Sequence, residues 1–170
     1  MVIWVDIAPF SNHYTVRRLT TEEIPTVYAL YRENDLYYQY CPPFVTEQSI
    51  MRDMQALPPG KGMDDKHYIG YYDGEEMVAV MDLITAYPDE KTAFIGFFMT
   101  AVQVQDMGVG SRLIQDLCDF LKSIGYEKIR LGWVKGNPQA EHFWHKNGFQ
   151  ETGITHDTDL YTVIIAQRCL

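Results

Sequence analysis

Gln105-Asp106-Met107-Gly108-Val109-Gly110-Ser111-Arg112-Leu113 is the stretch that decides the fold of this chain. An apolar run precedes it over residues 93–99, which predicts a strand, and an amphipathic helix pattern follows it as far as Ile124. A glycine loop between a strand and a helix leaves backbone N–H groups free at the helix N-terminus, where the helix dipole adds partial positive charge. We therefore expect this loop to bind a ligand that carries phosphate.

Two familiar phosphate-binding loops do not match the sequence. A Walker loop needs Gly-x-x-x-x-Gly-Lys-Ser/Thr, whereas Gly60-Lys61-Gly62 is followed by Met63 and lacks the upstream glycine. A dinucleotide-binding loop needs Gly-x-Gly-x-x-Gly, and Leu113 occupies the position of its third glycine. An unrelated nucleotide-binding protein is therefore the weakest interpretation of the loop.

Two motifs together resemble those of the GCN5-related N-acetyltransferases (GNAT). The pattern Gln-x-x-Gly-x-Gly at residues 105–110 is similar to the loop with which that family binds the pyrophosphate of acyl-CoA. Residues 137–149 resemble the family segment Asn-x-x-Ala-x-x-Phe-Tyr-x-x-x-Gly-Phe. The resemblance is strong over residues 92–152 and extends over most of residues 14–168. It implies that acetyl-CoA is the acyl donor.

The predicted elements have the order that this family uses. Strands are predicted at residues 14–19, 67–72, 76–85, 91–99, 128–134, from 149 onward and at 161–168, with a loop at 155–160. Helices are predicted at residues 20–33, 46–56, from the glycine loop to 124, and 138–146. We expect an α/β (α+β) fold, in which helices cover both faces of a mixed, mostly antiparallel sheet. The resemblance implies that the two strands flanking the long helix splay apart for the cofactor.

Length and composition limit the functions that this chain can have. With 170 residues, we expect one acyltransferase-like domain over residues 1–170, which includes an N-terminal extension at 1–12. The net charge of -9 argues against a nucleic-acid partner and would steer a cationic acceptor. No apolar stretch is long enough to span a membrane. The extension either packs on its own chain or forms an arm of a homodimer, and we favour the dimer.

Cysteine usage and the N-terminus predict a cytoplasmic protein without a metal site. The three cysteines are widely spaced, which suits a reducing compartment, and no Cys/His cluster has the spacing of metal ligands. The first residues lack the basic region of a secretory signal.

The resemblance implies a cofactor site made largely of backbone. The strand before the glycine loop would hydrogen-bond pantetheine, the loop would donate N–H groups to the pyrophosphate, and the second motif would lean on the cofactor arm. The residues in these positions are Met99, Thr100 and Ala101; Gln105, Asp106, Met107, Gly108, Val109, Gly110 and Ser111; and Asn137, Ala140 and Phe143. Asn137 also suits the N-cap of the last helix, because Pro138 follows it.

Trp144 departs from the family pattern, which often has a tyrosine there to protonate the thiolate of CoA. An indole N–H donates a hydrogen bond but does not give up its proton. Trp144 therefore either stabilises the thiolate by a hydrogen bond or forms a wall of the site.

The general base and the acceptor pocket have no motif. Some family members carry a glutamate where this chain has Gly132. Asp82 lies in the middle of an apolar strand, so it either faces solvent, which we expect, or faces the cleft as the base or the amine-binding group. The resemblance implies that Tyr37, Tyr38 and Tyr40 line the acceptor pocket, where aromatic faces attract cations, and that Trp133 forms another wall. The alternative is that the three tyrosines are ordinary packing and surface residues.

Two functions follow from these residues. The first is an N-acetyltransferase that moves acetyl from acetyl-CoA directly to a primary amine of a small molecule or peptide. The alternative is a non-catalytic CoA-binding sensor or interaction domain, which Trp144 and the missing acid at Gly132 support. We prefer the enzyme.

Overall fold

The computed structural model describes residues 5–170 of the chain. Its strands are β1 Thr15–Arg18, β2 Lys66–Asp73, β3 Glu76–Ile84, β4 Thr92–Thr100, β5 Lys128–Val134, β6 Gln150–Asp157 and β7 Thr162–Cys169. Its α-helices are α1 Ile24–Arg32, α2 Asp35–Tyr40, α3 Glu47–Gln55, α4 Val109–Ser123 and α5 Pro138–Lys146. None of the helices in this described part is both long and apolar enough to cross a membrane.

The seven strands form one sheet in the order β1-β2-β3-β4-β5-β7-β6. All neighbouring pairs are antiparallel except β4 and β5, which are parallel and connected through α4. Gly74 and Glu75 form the tight turn between β2 and β3, with Asp73 still paired to Glu76 in the ladder. Gly74 has the positive φ that such a turn needs. The expected fold class, a mixed and mostly antiparallel sheet, is confirmed.

Helices cover both faces of the sheet, and each face has its own hydrophobic core. On one face, α4 buries Leu113, Leu117 and Leu121 against β2 to β5. On the other face, α1 and α3 pack against β2, β3 and the end of β4. The predicted apolar stripe of α4 is confirmed except at Ile124, which is exposed because the helix ends at Ser123.

Two elements differ from those predicted. Residues 35–40 form α2, although no periodic apolar pattern marks this tyrosine-rich segment as a helix. The predicted loop at residues 155–160 is wrong in its first half, because β6 continues to Asp157 and pairs with β7 at Thr155↔Ile164. β6 is an edge strand with mostly exposed side chains, so no burial pattern marks its end in the sequence.

The described part of the N-terminal extension packs on its own chain. Phe10 is fully buried in the core beneath α4. Asp116 of α4 holds the segment in place, because its Oδ2 accepts hydrogen bonds from the Asn12 N–H at 2.9 Å and from the Ser11 hydroxyl at 3.4 Å and lies 2.9 Å from His13 Nδ1. Residues 1–4 lie outside the described part, and the homodimer stays a prediction.

We predict that Asp116→Ala destabilises the protein by about 1–3 kcal/mol, because several donors lose a shared buried acceptor. Although burial raises the pKa of Asp116, the hydrogen bonds from Asn12, His13 and Ser11 bring it below its ordinary value. This stabilisation is therefore present at neutral pH and is lost as the pH falls below about 4.

Urea unfolding at pH 7 and pH 3 measures this effect, and the difference in stability between the variant and the parent chain should be smaller at pH 3 than at pH 7. Asp119→Ala is the matched control, because Asp119 is an exposed aspartate on the same helix. An equal loss in both variants would contradict the role of Asp116.

Candidate active site

The parallel pair at the centre of the sheet separates halfway along. β4 pairs with β5 from Thr92↔Lys128 to Ile95↔Leu131, and no pairing between the two strands follows beyond that point. The gap opens into a cavity of about 670 Å³, which we call the wedge cavity, between the ends of β4 and β5 and the N-termini of α4 and α5. The splayed strand pair expected from the sequence is present.

The glycine loop closes one end of the wedge cavity with free backbone donors. Gly108 is the N-cap of α4, has a φ of 80° that favours glycine, and provides no side-chain cap. The N–H groups of the first helical turn therefore have no intrahelical acceptor. Together with the helix dipole, they can bind an anionic group at the mouth of the cavity.

Two of the expected cofactor contacts are already satisfied within the protein. The N–H of Gln105 donates to the Val102 carbonyl at 3.2 Å, and the N–H of Ala101 donates to the Val78 carbonyl at 2.8 Å. The turn after β4 uses the Gln105 N–H and Val78 of β3 uses the Ala101 N–H, so neither of these two N–H groups is free to donate to a cofactor. That Gln105 and Ala101 contribute to the cofactor site stays a prediction. The side-chain amide of Gln105 donates a hydrogen bond from Nε2 to Asn34 Oδ1 at 2.7 Å. This bond ties the glycine loop to the segment that joins α1 to α2.

The wedge cavity contains most, but not all, of the predicted site residues. Those that line it are Met99, Thr100, Gln105, Asp106, Gly108, Val109, Gly110, Ser111, Asn137, Ala140, Phe143, Trp144, Trp133 and Tyr37. Ala101, Met107, Tyr38 and Tyr40 do not line it. Met107 points away and is 69% exposed, and Tyr38 packs on Phe44 instead.

An aromatic cluster forms the wall of the cavity on the side of α5. Trp144 is buried and contacts Phe98, Phe143 and Phe149, with ring centroids 4.8–6.0 Å apart. Asn137 caps α5 by accepting a hydrogen bond from the Ala140 N–H at 3.2 Å, which confirms the predicted N-cap. The cap and the cluster together fix the position of Trp144.

Trp133 also faces the wedge cavity, from β5. Only 4% of the residue is exposed, and its ring packs edge-on against the His145 ring. Its indole N–H has no hydrogen-bond partner among the described residues. A buried N–H without a partner is costly, so this donor suits a ligand that enters the cavity.

Asp82 is buried, so the expectation that it faces solvent is wrong. Only 9% of the residue is exposed, and its Oδ2 accepts a hydrogen bond from Lys66 Nζ at 2.8 Å. Its Oδ1 has no partner within residues 5–170. Burial raises the pKa of Asp82, while the Lys66 ammonium opposes this shift. The sequence missed the pair, because Lys66 and Asp82 meet only through the register of β2 and β3.

Asp82 lines a second cavity of about 480 Å³, which we call the side cavity. It lies on the opposite face from α4 and α5, beside the segment that follows α3, and Ile84, Phe94, Arg130 and Ile165 also line it. Four residues line both cavities: Phe94, Gly96, His156 and Ile165. The two cavities therefore adjoin where β4 and β5 separate.

Gly96 lies at this junction and forms a β-bulge. Asp82 pairs with Phe97 and Leu83 pairs with Ile95, which leaves Gly96 without a partner on β3. A Cβ at Gly96 would come within 3.1 Å of Asp82 Oδ2. The bulge thus brings the Asp82 carboxylate close to the end of the wedge.

Two tyrosines and a cysteine border the wedge cavity at the edge away from α4. Burial, followed by the Cys41 thiol, raises the pKa of Tyr37. A hydrogen bond with Cys41, followed by burial, raises the pKa of Tyr161 to about 12. Both phenols are therefore protonated at neutral pH, and they can donate hydrogen bonds but cannot act as bases. Sequence reasoning missed Tyr161 and Cys41, which carry no motif.

Comparison with known families agrees with this architecture. The model of the acetyltransferase (GNAT) family matches residues 25–149, which include β2 to β5, the glycine loop and α5. The chain belongs to this family. It is therefore an N-acetyltransferase that uses acetyl-CoA, and the resemblance inferred from the two motifs is confirmed. No curated protein matches the sequence.

Solved structures of acetyltransferases share the fold at low identity. An acetyltransferase from Thermus thermophilus has a TM-score of 0.74 and 18% identity, covering 92% of this chain and 97% of its own. Spermidine N-acetyltransferase from Vibrio cholerae, in complex with CoA and spermine, has a TM-score of 0.68 and 17% identity, covering 94% and 96%. Ribosomal-protein-alanine N-acetyltransferase from Brucella melitensis has a TM-score of 0.63 and 15% identity, covering 91% and 99%.

We predict that Gly132→Ala destabilises the GNAT domain by about 1–3 kcal/mol, because overpacking forces neighbouring atoms to move. The new Cβ would lie 2.6 Å from Val163 Cγ1 and 3.3 Å from Ile165 Cδ1. A larger acidic side chain would meet the same obstacle, so this position has no room for the glutamate that some family members carry.

Urea unfolding of Gly132→Ala, Val163→Ala and the double variant measures the clash as a coupling energy. The double variant should be more stable than the sum of the two single losses implies. Gly62→Ala is the control, because no atom lies within 4 Å of its added Cβ. Strict additivity of the two losses would exclude the clash.

Proposed function

We propose that acetyl-CoA binds in the wedge cavity, with its pyrophosphate at the N-terminus of α4 and its pantetheine arm between β4 and β5. The free N–H groups of the first turn of α4 and the positive φ of Gly108 support the first placement. The unpaired edges of β4 and β5 support the second, because an extended amide chain can hydrogen-bond to an open strand.

The cofactor would be held by those residues that the sequence predicted for the cofactor site and that also line the wedge cavity. The N–H groups of Val109, Gly110 and Ser111 would bind phosphate oxygens, and Met99 and Thr100 would offer backbone groups to the arm. Phe143 and Ala140 would contact the arm from α5. Gln105 would act indirectly, because its side chain holds the loop against Asn34.

The acetyl group would lie near Gly96, where the wedge cavity and the side cavity adjoin. An acceptor amine in the side cavity would then reach the thioester carbon from the face opposite α4. The nitrogen–carbon bond forms, the carbon–sulfur bond breaks, and the nitrogen gives up one proton. Holding both reactants in adjoining cavities supplies much of the rate enhancement.

Asp82 is our candidate for the group that accepts this proton. Its Oδ1 has no partner among the described residues, and Asp82 Oδ2 lies close to the Gly96 bulge. A raised pKa makes a carboxylate a stronger base, while Lys66 keeps the carboxylate ionised. From Asp82 the proton returns to solvent.

Trp144 and Trp133 would act through hydrogen bonding and shape. CoA leaves as a thiolate, and a thiol pKa of about 8.5 makes it a tolerable leaving group without a proton donor. Trp144 is held by its aromatic neighbours as a wall of the cavity. The unpartnered indole N–H of Trp133 adds a donor that the motif did not indicate.

The acceptor is a primary amine in this proposal. The fold is shared with proteins named for spermidine and for ribosomal-protein alanine, so the fold does not select the acceptor. Tyr37 and Tyr161 would offer hydrogen-bond donors at the rim of the cavity. A cytoplasmic location and a homodimer remain predictions from the sequence.

We predict that Gly108→Trp abolishes acetyl-CoA binding, because an indole at the mouth of the wedge cavity would occupy the phosphate position. Isothermal calorimetry with acetyl-CoA measures this loss. Gly60→Trp is a closely matched control, because Gly60 has the same φ of 80°, also has no neighbour within 4 Å of an added Cβ, and lies in the loop after α3. Unchanged affinity in Gly108→Trp would exclude this placement of the pyrophosphate.

We predict that Asp82→Asn lowers kcat by about 10²- to 10⁴-fold, the range expected for loss of a general base, and leaves the Kd of acetyl-CoA unchanged. Thiol release at saturating acceptor measures kcat. Asp53→Asn is the control, because Asp53 is a nearby carboxylate on α3 that lines neither cavity. Equal rates for Asp82→Asn and the parent chain would remove Asp82 from the mechanism.

A further inference from the structure

The side cavity contains a cation that no carboxylate neutralises. Arg130 extends from β5, and its Nη2 donates to Gln167 Oε1 at 3.0 Å. Its Nε is buried and has no hydrogen-bond partner in residues 5–170. Within the same range, no carboxylate lies within 4.0 Å of its guanidinium.

None of the other charged groups near the side cavity forms an ion pair with Arg130 in residues 5–170. Asp82, across the cavity, is already paired with Lys66. Asp53 lies near Lys66 but does not line the cavity. Asp89 accepts hydrogen bonds from Thr92 and the Lys91 N–H, which lower its pKa most, and the charges of Lys128 and Arg130 lower it further. Because Asp89 is fully exposed, solvent screens its attraction to Arg130. The uncompensated charge in the side cavity is therefore positive, although the whole chain carries a net charge of -9.

The position of Arg130 relates this charge to the reaction. Arg130 and Gly132 are two residues apart on β5, so both face the same side of the sheet. Gly132 lies beyond the last paired residue, Leu131, at the point where β4 and β5 separate. An acceptor can therefore hold its amine at the point where β4 and β5 separate. A second group of the same molecule, a few bonds away from the amine, would then lie near the Arg130 guanidinium.

We propose that the acceptor is an amino acid, whose carboxylate binds Arg130 in the side cavity while its amino group lies beside Asp82. The inference rests on the proposed function. The guanidinium provides planar donors that match a carboxylate, and the unpartnered Nε–H is one of them. The apolar lining by Leu57, Ile84 and Phe94 fits an apolar side chain. The products are the N-acetylamino acid and CoA.

The same charges disfavour a polyamine in the side cavity. A polycation would bring several ammonium groups next to Arg130 and Lys66, and the cavity lining offers only the carboxylate of Asp82, which Lys66 already neutralises. Like charges in a desolvated site are unfavourable. Local charge therefore selects against the kind of acceptor that the net charge of the chain would attract.

The test compares amino acids with the amines that lack only the carboxylate. We expect leucine and phenylalanine to have kcat/KM values about 10- to 100-fold higher than 3-methylbutylamine and 2-phenylethylamine, as one buried hydrogen-bonded charge pair predicts. The pair 5-aminopentanoate and butylamine reports whether a longer separation of the two groups is preferred. Spermidine is measured as the polycation.

Arg130→Met should reduce the ratio of kcat/KM between each amino acid and its matched amine to about one. Lys128→Met is the control and should keep the ratio, because Lys128 lies on the same face of β5, has the same charge and does not line the side cavity. The Kd of acetyl-CoA is measured for each variant, so that loss of the fold is recognised separately.

Three outcomes would overturn the proposal. In the first, the parent chain has a higher kcat/KM for the matched amines or spermidine than for the amino acids. In the second, Arg130→Met lowers kcat/KM equally for each amino acid and its matched amine. In the third, the parent chain neither acetylates nor binds any amino acid. If acetyl-CoA binds but no amine is acetylated, the proposed acetyl transfer is wrong. The affinity of the CoA-loaded protein for leucine and phenylalanine, measured by calorimetry, then tests the amino acid site by itself. Binding that Arg130→Met abolishes would then support the amino acid site without the reaction.

Discussion

The separation of β4 from β5 beyond Ile95 and Leu131 is the constraint on which the rest of the site depends. Each strand keeps an antiparallel partner on its other side, β3 for β4 and β7 for β5, so the two open edges are held in place by the sheet itself. Backbone groups in the middle of a sheet require hydrogen-bond partners. The architecture therefore creates a slot for an extended, amide-containing ligand without any movement of a loop.

Two glycines at the end of the slot leave space between the cavities on the two faces of the sheet. Gly96 and Gly132 are the first residues beyond the paired part of β4 and β5, and side chains at either position would meet Asp82 or Val163. Their absence leaves the side cavity adjoining the wedge cavity. The charge of that face is set by Lys66, Asp82 and Arg130 and differs from the acidic balance of the chain. Overall charge influences encounter, whereas local charge decides recognition.

Elements whose signals are local were predicted well. The bounds of β5 and α5 agree with the prediction because Gly125, Val134 and the Asn137-Pro138 cap mark them within a few residues. The tight turn at Gly74 and the glycine loop are likewise short-range features. α2 and the end of β6 were missed because packing around Tyr37 and pairing with β7 define them, and neither contact leaves a periodic pattern in its own segment.

The sequence by itself determined the family, the glycine loop at the start of α4 and the order of the elements other than α2, because glycines, caps and apolar periodicity act over a few residues. Only the tertiary structure decided which groups remain free. The N–H of Gln105 is used by Val102, Asp82 is buried against Lys66, and Arg130 has no carboxylate partner within the described chain. The Gln105 bond is made within the loop itself, whereas the surroundings of Asp82 and Arg130 depend on register between strands that are distant in sequence. A shift of one residue would send either side chain to the opposite face.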